Sequence, residues 1–433
     1  MKSHWWAMLL RSPRLGPGPL VGLVVVLSFC ALWLSVPASS RLSLGTLSLG
    51  SGIAAVALMA TAALLAARWP WVESFLGGLD RVYAAHKWLG IWALVLACVH
   101  FAFKSGHPDW QVMSIVELPS AATRLLRQLS FLALMLIVLL ALNRNIPYRV
   151  WRWWHKLSGP LFLIVVAHWL SFRSPIVLAS PAGVWLAVVS SLGVLAAGYK
   201  LLLYPFLARH AEYRLVEVSS NASAVYLQLV PVARAIPFAA GQFAFVAFKQ
   251  DGLREPHPYT IASAAGPDGR IAFMVRSLGD YTARLVKQAQ PGMLAEVYAP
   301  FGRFQRQADG RPEIWIAGGV GITPFIAWLQ DCVEPPAAPV TLFYFSTPGR
   351  ELPAAIDLAE LCARRGVNLV EVTSGPATPA FREQFAQLVA QAGADRVQIN
   401  FCGPPGLLEQ VRGLMRASGV GEHCLRHELF QFR

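Results

Sequence analysis

Apolar residues follow two different rhythms along this chain. As far as about Tyr204 they form long runs broken by few charges; from about Glu212 they alternate with polar residues over short stretches. A helix that crosses a bilayer needs about 20 predominantly apolar residues. Six candidate runs can be drawn: Leu20–Val36, Thr46–Ala67, Tyr83–Phe103, Leu129–Leu142, His155–Phe172 and Ile176–Leu203. The fourth has the shortest apolar core and reaches the required length by extending back through Arg127, whose long side chain can snorkel to the interface. Lys2, Arg11 and Arg14 ahead of Leu20–Val36 imitate a signal peptide, but no convincing cleavage site follows and further spans do. The first half therefore reads as an α-helical transmembrane bundle of six spans over residues 1–208.

The second half reads differently. Tyr213–Val218, Ala224–Leu229, Gln242–Ala247, Ile271–Val275 and Met293–Val297 are short alternating stretches punctuated by Pro and Gly. That pattern predicts a small antiparallel β-barrel over residues 209–309. After Pro312, Ile314–Ala317, Val340–Phe345, Val367–Val372 and Val397–Phe401 are separated by helical stretches, which predicts an α/β doubly wound nucleotide domain over 310–433.

Composition sharpens the first half more than the second. Of 433 residues 55% are hydrophobic and only 14% charged, too apolar for an ordinary soluble enzyme. The net charge of +13 brings no basic run with interleaved aromatics, so nucleic acid is not the expected partner; basic flanks facing anionic lipid are. With the N-terminus inside, the inner segments hold Lys2, Arg11, Arg14, Arg68, Arg81, Lys87, Arg144, Arg149, Arg152, Lys156, Lys200 and Arg209. These outnumber Arg41, Lys104, Arg124, Arg127 and Arg173 on the outer segments, so both termini and the second half belong in the cytoplasm. Trp151, Trp153 and Trp154 suit an aromatic belt at that inner face. The six cysteines form no CxxC and no zinc pattern, which fits a reducing compartment without a disulfide framework.

Four histidines stand inside the apolar runs: His86 and His100 in the third, His155 and His168 in the fifth. The separations are 100 − 86 = 14 and 168 − 155 = 13 residues, about 20 Å along a helix in either case. Both runs go from inside to outside, so His86 shares a level with His155 and His100 shares one with His168. A hydrogen bond to a neighbouring helix would explain any one of them. Four at matched levels point instead to two bis-histidine sites, since ionisable groups in lipid are functional candidates by default. Two histidines per level supply the axial ligands of a haem but only half of a tetrahedral zinc site. Fourteen residues nearly return to one helix face, whereas thirteen miss it by about 140°. A kink at Pro160 is expected to make up the difference.

Four stretches of the second half carry candidate chemistry. His257-Pro258-Tyr259-Thr260-Ile261-Ala262-Ser263 offers an aromatic face, a hydroxyl and a basic group suited to a flavin; by itself it is also a plain strand with a turn. Arg276-Ser277-Leu278-Gly279-Asp280-Tyr281-Thr282 supplies a cation, a glycine and a helix N-terminus, with Asp280 placed to cap that helix. Gly318-Gly319-Val320-Gly321-Ile322-Thr323-Pro324-Phe325 follows an apolar strand and opens a helix, with Thr323 suited to N-cap and Pro324 to N1. Phe401-Cys402-Gly403-Pro404-Pro405 ends the last of the four strands and would line the nicotinamide side of the same crevice.

In this order the spaced histidines, His257–Ser263, Arg276–Thr282, Gly318–Phe325 and Phe401–Pro404 resemble the NADPH oxidase/ferric reductase superfamily over nearly the whole chain. The resemblance implies cytoplasmic NAD(P)H reducing FAD, which passes single electrons through two b-type haems to an acceptor outside. It implies that His86, His100, His155 and His168 are the axial haem ligands, that Tyr259 and Thr260 contact the isoalloxazine, and that His257 and Arg276 bind the FAD phosphates. His427-Glu428-Leu429-Phe430 resembles the ending in which an aromatic covers the flavin, with Phe430 first choice and Phe432 in reserve; a last strand with buried aromatics is the other reading. Phe430, Cys402 and Thr260 are thus the residues expected beside the reacting atoms. Ser346 and Arg350 stand where a 2′-phosphate could be held, which favours NADPH over NADH. No EF-hand and no proline-rich tail call for a cytosolic activator. The implied setting is a bacterial inner membrane, and the implied acceptor is O2 giving superoxide. A ferric chelate or a periplasmic redox partner are the alternatives. His107, Lys104, Arg124 and Arg127 on the outer side could steer an anion or simply face the lipid interface.

Overall fold

In a computed structural model, residues 16–428 are described except 144, 333, 351, 354 and 374; the side chains of 148 and 149 are also not described. Lys2, Arg11, Arg14, Arg144, Phe430 and Phe432 therefore lie outside the described residues. The chain divides into two compact units, one ending at Ala208 and one beginning at Arg209.

The first unit is helical: α1 (Pro17–Trp33), α2 (Leu44–Ala66), α3 (Pro70–Leu76), α4 (Leu79–Ala102), α5 (Ser120–Leu142), α6 (Tyr148–His155), α7 (Ser158–Ser171) and α8 (Pro181–Gly198). A π turn (Tyr199–Leu203) then leads from α8 into α9 (Tyr204–Leu207). Helix α2 is the centre, packed by α1, α4, α7 and α8. Its buried face is built from Gly45, Ser48, Gly50, Ser51, Ala54 and Ala57, small side chains that let neighbouring backbones approach closely. Helix α5 does extend back through Arg127, and Leu125, Leu129, Leu132, Leu136 and Leu139 form an exposed apolar stripe at helical spacing along it.

Four helices among the described residues are long and apolar enough to span a membrane: α2, α4, α5, and α8 continued to Leu207. The other two expected spans fall short. Helix α1 has 17 residues and α7 only 14, about 25 Å and 21 Å of rise against a hydrocarbon core of about 30 Å. The fifth run is not one helix but two, because Pro160 has no N–H for the carbonyl of Lys156 and its ring crowds that carbonyl. The break therefore falls one turn before the proline, at Lys156–Leu157, where Leu157 N–H closes a tight turn on Trp154 O at 3.0 Å. His155 ends α6 and His168 sits in α7, so the awkward thirteen-residue interval does not lie on a single helix.

The second unit holds two sheets. β1 (His210–Ser220), β2 (Ala224–Pro231), β3 (Phe243–Phe248), β4 (His257–Thr260), β5 (Ile271–Arg276) and β6 (Leu294–Phe301) form an antiparallel sheet in the order β4-β3-β6-β1-β2-β5. Its two edges nearly close on each other through an Ile261–Phe273 bridge and a bond from Ala262 N–H to Ala272 O at 2.7 Å. Tyr213, Leu215, Leu227, Val246, Phe273 and Val297 fill the interior of this near-barrel. Helix α10 (Asp280–Gln288) follows β5.

The other sheet is parallel, in the order β11-β10-β7-β8-β9: β7 (Glu313–Gly318), β8 (Val340–Phe345), β9 (Asn368–Val372), β10 (Gln398–Cys402) and β11 (Leu425–Glu428). The last of these was not among the strands expected from alternation. Helices α11 (Thr323–Asp331), α12 (Leu358–Arg364), α13 (Pro379–Ala392) and α14 (Pro405–Ala417) connect them. Strand alternation divides the core. Trp315 and Ala317 face Phe325 and Trp328 on one side, while Ile314, Ile316 and Phe401 face Phe381 and Phe385 on the other. Each fully buried large apolar side chain of this kind stabilises by about 1.5–3 kcal/mol. Beneath β7, Glu313 accepts from Arg306 Nε and Nη2 at 2.9 and 2.7 Å, from Trp315 Nε1 at 2.7 Å and from Asn400 Nδ2 at 3.2 Å, so its buried carboxylate is amply paired.

Candidate functional site

Two sites emerge, one in each unit. In the helical unit, His86 and His100 lie on α4, and both turn a ring nitrogen toward α2. His86 Nδ1 stands 2.9 Å from the main-chain oxygen of Ala62, and His100 Nδ1 stands 2.9 Å from that of Ser48. A carbonyl oxygen only accepts, so Nδ1 carries the proton in each ring and Nε2 keeps its lone pair. Ser48 Oγ adds contacts to His100 Nδ1 at 3.3 Å and to Ser105 Oγ at 2.7 Å. The absence of a side chain at Gly52 makes room for this ring, since a Cβ there would lie 2.9 Å from His100 Nδ1.

From the other side, His155 brings its ring to 5.8 Å from that of His86, with planes 74° apart, and is itself stacked on Trp151 at 5.2 Å. His168 has His100 and Arg127 as its charged or titratable neighbours. The Nδ1 atoms of His155 and His168 are buried without a hydrogen-bond partner. Imidazoles that give one N–H to a main-chain carbonyl and keep the other nitrogen free have the second-shell arrangement of metal-ligating histidines. The residues present thus fit a group that takes one imidazole on each face. No cluster of three or more His, Cys, Asp or Glu among the described residues could form a closed cage. His107 is engaged by Asp109, whose N–H donates to His107 Nδ1 at 3.3 Å.

In the second unit a cavity of about 790 Å³ opens between the near-barrel and the parallel sheet. Strand β4 contributes His257, Pro258, Tyr259 and Thr260, and β5 contributes Arg276. The ends of the parallel strands contribute Gly318, Gly319, Gly321 and Thr323, Ser346, and Cys402, Gly403 and Pro404. His257 is stacked face to face on Tyr281 at 3.7 Å, and Tyr281 Oη donates to Leu253 O at 2.9 Å, so the ring pair is fixed from below. Burial, with Tyr281 alongside, holds the Tyr259 phenol well above its ordinary pKa, so it remains a neutral O–H. Tyr259 Oη and Arg276 Nε are both buried without a partner. Two orphaned polar atoms in one cavity lining fit a polar cofactor such as a flavin dinucleotide.

The glycines explain how two strand ends come together. Gly319 has φ 57°, and its face is covered by Arg276, whose Nη1 would lie 2.7 Å from a Cβ there. Gly321 packs its backbone on Cys402, where a Cβ would meet the carbonyl oxygen at 2.2 Å. Burial, then the nearby Glu428 carboxylate, push the Cys402 thiol up and keep it protonated. Glu428 sits beside Cys402 in the register of β11 on β10.

Some expectations are corrected. Thr323 is not an N-cap: a 3₁₀ turn (Gly319–Ile322) precedes α11, Ile322 caps it, and the Thr323 hydroxyl donates back to Val320 O. Pro324 is then the second helical residue. Gly279 rather than Asp280 caps α10, because the Thr282 hydroxyl folds back to accept from the N–H groups of Leu278 and Gly279 at 2.9 and 3.0 Å. Gly279, Asp280 and Tyr281 do not line the cavity, although Leu278 and Thr282 do. Arg350 is exposed and absent from the lining, while Ser346 and Thr347 are present in it. Met274, Thr373 and Leu407 line the cavity without any signal in the sequence that marks them. The main-chain acceptors at Ala62 and Ser48 were also not foreseen, because every residue has a carbonyl and none advertises it.

Comparison with known proteins follows the same division. The family described as "Ferric reductase like transmembrane component" matches residues 51–166, and the family described as "FAD-binding domain" matches residues 211–308. The toluate 1,2-dioxygenase electron transfer component of Pseudomonas putida is 28% identical over 203 residues, covering 45% of this chain and 59% of that protein. Dual oxidase 2 of Rattus norvegicus is 26% identical over 297 residues, covering 59% of this chain and 18% of that one. The chain spans less than two thirds of the length of either. Among solved structures, the Amycolatopsis cytochrome P450 reductase GcoB aligns with 51% of this chain and 70% of its own at 22% identity and a TM-score of 0.44.

Proposed function

This chain belongs to the superfamily that joins a ferric reductase-like transmembrane component to an FAD-binding reductase module, and from that premise we propose that it carries electrons from cytoplasmic NADPH to O2 on the outer face of a bacterial inner membrane, yielding superoxide. Its reductase module is a flavin-dependent electron-transfer oxidoreductase. The haem part of this reading is supported above all by one observation: both α4 histidines set Nδ1 against main-chain carbonyls of α2, which leaves Nε2 as the nitrogen with a free lone pair.

In this reading the transmembrane domain covers 1–208, with α1 and α7 as the shorter first and fifth spans, the FAD domain 209–309 and the nucleotide domain 310–433. His86 with His155, and His100 with His168, would hold two b-type haems; Tyr259, Thr260, His257 and Arg276 would hold FAD; the Gly318–Gly321 turn, Ser346 and Cys402–Pro404 would hold NADPH. At these residues FAD would supply the conversion of a two-electron hydride into single electrons, and haem a one-electron carrier.

The chain's own residues prepare that exchange. Arg276 supplies a fixed cation for a pyrophosphate from its position over Gly319. The neutral Tyr259 phenol can donate a hydrogen bond without bringing a charge against a flavin ring. The protonated Cys402 thiol presents a small apolar surface where a nicotinamide would stack. The carbonyls of Ala62 and Ser48 fix the tautomer and the rotation of two imidazoles, so no reorganisation is needed when a metal arrives.

The test is an absorbance spectrum of the detergent-solubilised protein, oxidised and then reduced with NADPH. Bis-histidine b-haem bands with a flavin shoulder are expected, and His100→Leu or His168→Leu should each remove one haem equivalent. Unchanged pyridine-haemochrome content in either variant overturns the ligand assignment. Superoxide-dismutase-sensitive cytochrome c reduction supports O2 as acceptor; oxygen-insensitive ferric reduction would replace it with a ferric chelate, and silence in both with a redox partner.

A further inference from the structure

Arg68 is the one non-glycine residue with a left-handed backbone among those described, at φ 58°. That conformation is unfavourable for any side chain with a Cβ and persists only where the surroundings impose it. Here it accompanies a guanidinium folded back onto α4. Arg68 Nε donates to Tyr83 Oη at 2.7 Å, and its Cζ lies 5.7 Å from the Tyr83 ring centre and 6.0 Å from that of Tyr204.

A second irregularity brings another cation to the same tyrosine. The π turn after α8 carries Lys200, whose Nζ stands 3.4 Å from the Tyr204 ring centre. Turns of this kind are often retained at functional sites. The charges that act on Lys200 are Arg68 and Arg152, both positive. Three positive groups that act on one another in a small space set up a local field favourable to an oxyanion. Leu202 and Phe206, which flank Tyr204 in the chain, are exposed by 69% and 78%, and Trp71, stacked on the Trp69 that meets Tyr199, by 63%, apolar surface of the sort that faces lipid at the edge of a membrane.

We propose that Arg68, Arg152 and Lys200 form a binding site for the phosphate of an anionic phospholipid, with Leu202 and Phe206 along its acyl chains. The guanidinium groups provide forked donors to phosphate oxygens and the lysine a point charge. The site lies on the segments that the Lys/Arg bias assigns to the cytoplasmic leaflet, where anionic lipid is concentrated. It does not depend on the redox reading.

The test uses the full-length protein in detergent, supplied with phosphatidylglycerol or phosphatidylcholine, and counts retained lipid by native mass spectrometry. Wild type should retain phosphatidylglycerol about 5-fold or more over phosphatidylcholine, because the phosphate of the zwitterionic lipid is already partnered. Lys200→Gln and Arg152→Gln should each lower that ratio several-fold, while the charge-matched control Lys287→Gln on α10 keeps it. Should a variant fail to fold, raising wild type to about 1 M salt, where the screening length falls to about 3 Å, should remove most of the preference without any substitution. Equal retention of the two lipids overturns the site. So does a Lys200→Gln protein that keeps its lipid but loses b-haem absorbance, since the cations would then be serving haem carboxylates.

Discussion

The imidazoles of His86 and His155 face each other 5.8 Å apart, centre to centre, with planes 74° from parallel. They come from α4 and α6, helices that share no sequence proximity, and only His86 is tied to a neighbour's main chain. If the two rings serve one metal between them, they form a unit whose members are not additive. His86→Leu and His155→Leu should each remove one b-haem equivalent, and the double variant should remove no more than either single one. Haem quantified as pyridine haemochrome per mole of protein decides it. A double variant that loses two equivalents would mean that the rings serve different groups.

Gly52 offers a more local check at the level of His100. A methyl group there must displace the His100 ring, because its carbon would lie 2.9 Å from Nδ1, inside any normal contact. Gly52→Ala should therefore cost one haem equivalent, or broaden the bands of one, although Ala is the better helix former. Gly22→Ala on α1, where a Cβ has nothing within 4 Å and no histidine shares the helix, should leave the spectrum unchanged. The pair separates a steric effect on the ring from a general effect on membrane helices.

The sequence makes some of these features readable and hides others for physical reasons. Short apolar stretches locate β1, β2, β3, β5 and β6; β6 and the start of β1 bury alternate residues in the near-barrel, whereas β3 and β5 are buried on both faces. Long apolar runs locate α2, α4 and α5 for an equally direct reason. Proline chemistry announces a disturbance in the fifth run but acts one turn upstream, at the carbonyl of Lys156, so the break is displaced from the residue that causes it. Caps are less legible still: Thr282 rather than Asp280 satisfies the start of α10, and a 3₁₀ turn takes Thr323 inside α11. Arg350, attractive by type and position, is exposed and is not among the residues that line the cavity. Spacing brings the histidines to notice, but their main-chain partners at Ala62 and Ser48 become visible only with coordinates.

Alkaline stability should report on the buried thiols of the nucleotide domain. Burial pushes the Cys362 thiol up to about 12, against an unfolded value of about 8.5. The folded state then holds a proton that the unfolded state gives up, so the associated stability is fully present below about pH 8.5 and declines as pH rises toward the folded value. Cys402 shifts in the same direction by burial and by Glu428. Denaturant midpoints followed from pH 7 to pH 11 should fall, and Cys362→Ala should fall less steeply than wild type. Equal slopes for the two proteins would show that this thiol ionises as freely folded as unfolded.

Gly321 tests how the parallel sheet builds its crevice. The turn after β7 and the end of β10 meet backbone to backbone, with the Cys402 carbonyl oxygen 2.2 Å from where a Cβ of residue 321 would stand. Main chain cannot rotate aside as a flexible side chain can, so Gly321→Ala must separate the two strand ends. Overpacking of this kind costs about 1–3 kcal/mol. The displaced elements carry Gly318, Gly319 and Cys402–Pro404, which line the cavity, so the damage should extend from stability to nucleotide binding. A several-fold rise in KM for NADPH with flavin content unchanged is the expected signature. Gly413→Ala, further along α14 and away from the cavity lining, with nothing within 4 Å of its Cβ, serves as the matched control and should leave KM unaltered. If the two alanine variants behave alike, the close approach of these strand ends is not what shapes the nucleotide side of the cavity.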